Sequence, residues 1–388
     1  MHHRLLVRVL LLTLPVSALT VTTAADELDS PAGANVSLRE AIRDTPSLGT
    51  VDFNSSLNGG TLTLTLGELS VISKTLTIDA SSLSVGITLD GGGNPRILTV
   101  GSGTVNILGV RFTCGFAPAD GGAIYAFSSS HLTLTSCTVT SNTSALGGGG
   151  LWLISPATRT ITNTIVARNT SVDDADLSLQ GATLTRAGAN FIRSNDGNSS
   201  VFPAGNPNPN GDLVGTDAAP LNPRLSPLAF YGGTTESLHP LIGSPVINSG
   251  GATALATDQR GLTRTVGAAT DIGSVETATP LTVTTALDEN NGGLGLGTGD
   301  SLRECLSAVG TAGHISFAPG LNGQFIVLAT GMMTVNGDKV FLDASSLASG
   351  VTVSGNSASR IFRLINNSTL ALHSVHLNGG LHSGVAIG

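Results

Sequence analysis

Apolar and polar residues alternate in short runs along much of this chain. Examples are Leu62-Thr63-Leu64-Thr65-Leu66, Lys74-Thr75-Leu76-Thr77-Ile78, His131-Leu132-Thr133-Leu134-Thr135 and Arg159-Thr160-Ile161-Thr162. A two-residue period sends successive side chains to opposite faces, so these runs predict strands and not helices. They also recur. Ile107, Leu134 and Ile161 are spaced by 27 (134 − 107 and 161 − 134), as are Phe112, Val139 and Val166, and Val110, Cys137 and Thr164. Gly122-Ala123-Ile124-Tyr125 matches Gly149-Gly150-Leu151-Trp152 at the same offset. A fixed period of roughly 20–50 residues marks a solenoid. Short strands in a 27-residue lap, punctuated by Gly and Asn, predict an all-β fold: a parallel β-helix whose inward side chains form columns.

A longer repeat encloses the shorter one. Ser37-Leu38-Arg39-Glu40 returns as Ser301-Leu302-Arg303-Glu304, Asp79-Ala80-Ser81-Ser82-Leu83 as Asp343-Ala344-Ser345-Ser346-Leu347, and Arg96-Ile97 as Arg360-Ile361. The differences 301 − 37, 343 − 79 and 360 − 96 all equal 264. The expected organisation is a solenoid unit over residues 19–277, a linker at 278–280, and a second, truncated copy over 281–388. Ser37 with Glu40 three residues on forms a capping-box pattern, and Leu38, Ala41 and Ile42 share one helical face. A short amphipathic helix is expected to cover the first lap, hiding an open sheet end. Residues 195–225, rich in Asn, Pro and Gly, are expected to leave the stack as a long excursion.

The composition agrees with stacked strands. Charged residues are 11% of the chain and aromatics 4%, and 50 of 388 residues are Gly. Net charge is −8 and no Lys/Arg cluster tracks along the sequence, which argues against nucleic-acid binding. Arg4 and Arg8, the apolar run from Val9 to Leu14 and the small residues Val16-Ser17-Ala18 read as a secretory leader over residues 1–18. No segment reads as a transmembrane span. Cys114, Cys137 and Cys305 lack metal-binding spacing. In the 27-residue register Cys137 shares a column with Val110 and Cys114 with Ser141, about 13 Å apart along the strand direction, so both are expected to be free.

These residues carry a resemblance. Leu19 to Leu28 followed by Ser37-Leu38-Arg39-Glu40-Ala41-Ile42 resembles the CSLREA domain, with Val36 and Asp300 where that family has its cysteine. Asn163 to Thr170, Gly243 to Gly250, and Thr257 to Gly261 with Asp271 to Glu276 resemble the choice-of-anchor Q domain. The resemblance implies a right-handed parallel β-helix of bacterial origin, secreted or displayed at the cell surface. It implies no defined activity.

Candidate chemistry is sparse. Asp173, Asp174 and Asp176 form the densest acidic cluster; a solvated turn is the expected role, with a calcium site as the alternative. Only Arg168 and Arg186 are near enough in sequence to serve them as a base. Asp258, Arg260, Asp271 and Glu276 are expected to form a structural clasp. Gly147 to Gly150 lacks the Lys-Ser/Thr of a phosphate loop and reads as a sharp corner. His131 and His239 read as solvent or turn residues, and His373 and His376 as opposite faces of one strand. No catalytic, cofactor or metal residue is assigned. The expected function is an exported, non-catalytic scaffold contacting extracellular polysaccharide or other surface components. The alternative is a polysaccharide lyase or glycoside hydrolase on the same fold.

Overall fold

The computed structural model describes residues 17–381, apart from 84, 85, 155, 157, 228, 232–235, 254, 311 and 312. Residues 1–16 of the expected leader lie outside the described residues; the first strand, Ala18–Val21, pairs in parallel with Gly49–Phe53. The chain is a right-handed parallel β-helix.

The first unit has one long sheet whose principal path runs through Ala18–Val21, Gly49–Phe53, Leu69–Asp79, Leu98–Leu108, His131–Thr135, Thr158–Thr162 and Thr183–Arg186. A second sheet stacks Thr61–Thr63, Ile87–Asp90, Val110–Thr113, Thr138–Thr140, Ile165–Ala167, Phe191–Ile192 and Leu213–Val214. The register is the one the period demands: Leu134 pairs with both Ile107 and Ile161, and Val139 with Phe112 and Val166. Ile107, Leu134 and Ile161 are buried in one continuous core. The corners repeat as faithfully as the strands. Gly109, Ser136 and Asn163 all take positive φ at one corner, and Cys114, Ser141 and Arg168 at the next. At Gly149 and Gly150 a Cβ would lie 2.4 Å from Thr170 O and 2.5 Å from Asp176 O, so the expected sharp corner has no room for a side chain.

Both copies of the Ser-Leu-Arg-Glu segment build the same cap. Helix α1 (Leu38–Asp44) and helix α2 (Leu302–Ala308) each have a complete capping box. The intervening arginine does what the sequence pattern did not reveal. Arg39 forms a two-pronged pair with Asp26 (2.8 and 3.0 Å) and donates to Gly67 O and Glu68 O; Arg303 repeats this with Asp288 (2.7 and 2.9 Å), Gly331 O and Met332 O. Asp26 also accepts from the N–H groups of Thr65 and Leu66, riveting the cap to a later lap.

Residues 195–225 do not form a single excursion. Leu213–Val214 pairs with Phe191–Ile192 as a further lap, and Phe202 and Val214 are buried in the core. Asn195 donates to Phe202 O and Asn198 to Leu177 O, so the polar residues that looked like loop chemistry close a compact lap over the column. Beyond it, the chain folds back over the outer face of the second sheet. Leu225, Val246 and Ile272 pack on Ile165, Ala167, Phe191 and Leu213.

The second copy has its own core, from Val283 to Ile361. Its sheets join Leu281–Val283, Gly313–Phe317, Lys339–Asp343 and Thr369–His373, and Phe325–Val327, Val351–Ser354 and Val375–Asn378. His373 and His376 fall on two different strands, separated by Ser374 at φ 54°. The expectation of one strand is therefore corrected: a corner intervenes.

Candidate functional site

The three aspartates near residue 174 do not converge. Asp173 is exposed, Asp174 is half-buried and accepts from Ser178 Oγ, and Asp176 is 1% exposed. The expected solvated turn is thus wrong for Asp176, because it ends an internal polar ladder. Asn142 Oδ1 accepts from Gly115 N, Asn169 Oδ1 accepts from Asn142 N and Nδ2, and Asp176 Oδ1 accepts from Asn169 N and Nδ2. A second ladder runs from Cys137 N to Thr164 Oγ1, from Thr164 N to Asn190 Oδ1 and from Asn190 to Asp212 Oδ1. Each ladder satisfies backbone N–H groups that the corner removes from the sheet. The outer oxygens, Asp176 Oδ2 and Asp212 Oδ2, make no well-formed hydrogen bond; the Ser194 N–H approaches the Asp176 carboxylate and Arg186 that of Asp212. Burial pushes Asp176 up to about 6, against the opposing hydrogen bonds from Asn169. Among the described residues no group of three His, Cys, Asp or Glu side chains has a metal-binding arrangement.

Arg168 turns away from these carboxylates and donates to Leu225 O at 3.2 Å. Arg186 approaches Asp212 Oδ2 at 3.7 Å. Neither is placed as a base beside Asp173 or Asp174 in any hydrogen bond or ion pair of the described residues.

Asp258, Arg260, Asp271 and Glu276 do come together, and all are buried. Asp258 pairs with Arg260 at 3.0 Å and accepts from the N–H groups of Leu262 and Glu276. Asp271 accepts from Asn248 N and from Thr277 N and Oγ1. Glu276 accepts from Val266 N and Asp271 N. Arg264, which sequence reasoning missed, lies 3.7 Å from Glu276 and donates to Asp271 O and Gly273 O. Burial raises Glu276 to about 7, opposed by the Asp271 N–H, and burial lowers Arg264. The adjoining cavity holds about 10 Å³, room for one water at most.

Cys114 and Cys137 are free, as expected, and so is Cys305; Cys137 and Cys305 are buried and Cys114 is exposed. Burial raises the thiols of Cys137 to about 11 and Cys305 to about 12. His131 is exposed, but His239 is 1% exposed, which corrects the expectation of a solvent residue. His239 belongs to the seam between the copies, where Tyr231 and Leu241 of the returning segment pack on Phe341. The His314 ring stacks on Phe341 at 5.0 Å and lies 5.1 Å from His239. Asp343 Oδ2 accepts from Ile242 N at 2.8 Å and lies 3.4 Å from His314 Nε2. Burial would raise Asp343, but contacts from His314, Ser345 and Ile242 N outweigh it and hold it at about 2. Burial pushes His239 well below the usual histidine range, helped by the Arg260 charge. The seam had a sequence signal. At the 264 offset His314 stands opposite Thr50 and Phe341 opposite Thr77, a polar outer face turned aromatic.

The fold thus defines a β-solenoid whose clustered charges serve its own corners, clasp and seam. Comparison with protein-family models, curated proteins and solved structures finds no match to this chain. No helix among the described residues is long and apolar enough to cross a membrane.

Proposed function

We propose that this chain is an exported, non-catalytic scaffold of the CSLREA and choice-of-anchor Q kind, presenting a long rigid face to matrix polysaccharide or other cell-surface components. One observation carries the reading: the clustered carboxylates that could do acid–base work are spent on internal N–H groups and arginines. Glycoside hydrolysis needs two carboxyl groups facing a substrate across an accessible gap. Here Asp258 and Glu276 close a clasp instead. A solenoid serves adhesion by summing weak contacts over many laps. The leader pattern over residues 1–18 supports export.

The test is incubation of purified protein with a panel of acidic and neutral polysaccharides. Scaffold function predicts binding without new reducing or unsaturated ends. Such ends, produced in proportion to protein, would establish the lyase or hydrolase reading instead.

A further inference from the structure

The molecule has two larger hollows in which cations gather. A groove beside α1 encloses about 580 Å³, but its Arg39, Arg43 and Lys74 are already held by Asp26, Asp44 and the carbonyls of Ile42 and Arg43. A second cleft of about 400 Å³ lies at the seam between the copies, lined by Arg168, Asn222, Arg224, Ser345, His373 and Ser374 among others. Among the described residues no carboxylate lines it, in a chain of net charge −8. Its two arginines form no ion pair among the described residues. Arg168 makes one hydrogen bond, to Leu225 O, and faces further positive charge from Arg193. Asp343, the register partner of the lining residue His373, is buried with its oxygens accepting from Ile242 N and Ser345 N and with His314 Nε2 at 3.4 Å. Ser345 Oγ is buried beside the Asp343 carboxylate, which it helps to hold low.

We propose that this seam cleft binds the anionic group of an acidic glycan, a uronate carboxylate or a sulfate ester. Two guanidinium groups with N–H donors uncommitted among the described residues match a planar or tetrahedral oxyanion, and the exposed Ser374 hydroxyl and Asn222 amide match sugar hydroxyls. The cleft is too small and its cations too few to follow a phosphate backbone. Both copies contribute: Arg168 and Arg224 come from the first, Ser345 and His373 from the second. The duplication thereby creates a site that neither copy contains alone. The inference rests on the scaffold reading and supplies its ligand class.

The experiment is calorimetric titration of the full chain with oligogalacturonate, a sulfated dextran oligomer, inorganic sulfate, inorganic phosphate and neutral dextran. Saturable binding of a charged oligosaccharide is expected, with neutral dextran inert. Affinity should fall about tenfold in R168Q and in R224Q, the size of one lost charged donor, and further in the double variant. His373→Gln is a second probe from the other copy should the double variant melt early, and Arg363→Gln, outside the cleft, should bind as the parent does. Equal binding by parent and R168Q/R224Q would overturn the site while leaving the scaffold reading intact. Absence of binding by every anion, or binding of inorganic anions only, would overturn the glycan assignment. Cleavage of the oligosaccharide would overturn the non-catalytic reading and not the cleft.

Discussion

Asp176→Asn should stabilise the protein at neutral pH. Asp176 closes a ladder in which Oδ1 accepts from Asn169 N at 3.0 Å and Nδ2 at 3.1 Å, while Oδ2 is buried with no well-formed hydrogen bond and the Ser194 N–H approaches the carboxylate. An asparagine keeps the accepting oxygen and replaces the stranded one with a donor, the arrangement Asn142 and Asn169 already use. Burial, opposed by the Asn169 bonds, raises the Asp176 pKa from 3.8 to about 6. A shift of that size corresponds to about 3 kcal/mol of cost for holding the charge. Losing the attraction of Arg193 and of the Ser194 N–H offsets much of the gain, leaving about 1 kcal/mol. The sign follows from linkage. A carboxyl with a raised folded pKa is most favourable below its unfolded value and loses that contribution as pH rises through the folded one. The variant's advantage should therefore be absent near pH 4, open as pH rises toward 6, and be complete by pH 7.5. Trp152, the single tryptophan, is on the strand paired with Leu177–Gln180, so its fluorescence in urea reports this lap. A variant less stable than the parent at pH 7.5, or a stability difference that ignores pH, would refute the reasoning.

Other consequences are equally open to measurement. Leu134→Ala, in the column between Ile107 and Ile161, should cost about 2–5 kcal/mol and lower the urea midpoint of the first unit. Cys114 should react with a maleimide in the native state, whereas Cys137 and Cys305 should label only after unfolding, as mass spectrometry would show. Phe341→Ala removes the ring that meets Tyr231 at 4.5 Å and should cost about 3 kcal/mol at the seam, read as faster proteolysis of the returning segment with the second core intact. Asp343, held at about 2, should support the seam fully above about pH 4 and release it as pH falls toward 2, a dependence that Asp343→Asn abolishes.

Much of the architecture is written in periodicities. A side-chain period of two sets strand faces, and the 27-residue step sets which side chains stack, so the columns through Ile107, Leu134 and Ile161 and the unpaired state of Cys114 and Cys137 were legible without coordinates. The caps were legible for a related reason, since a capping box is local and needs only four residues. What escaped was non-local. Arg39 and Arg303 find Asp26 and Asp288 across a loop whose offset between copies is 262 (288 − 26) and not 264, so strict alignment hides the pair. The charged cluster around residue 174 looked solvated because sequence proximity says nothing about which oxygen a later corner will cover. Asp176, seven residues after Asn169, is buried where it accepts from the Asn169 N–H and amide. His239 and the seam cleft depend on where residues 216–277 fold back, and no period governs that segment. A repeating chain specifies its own column by local pattern, but surfaces made where the column is overlaid or joined belong to tertiary packing alone, because they bring together side chains related by no common spacing.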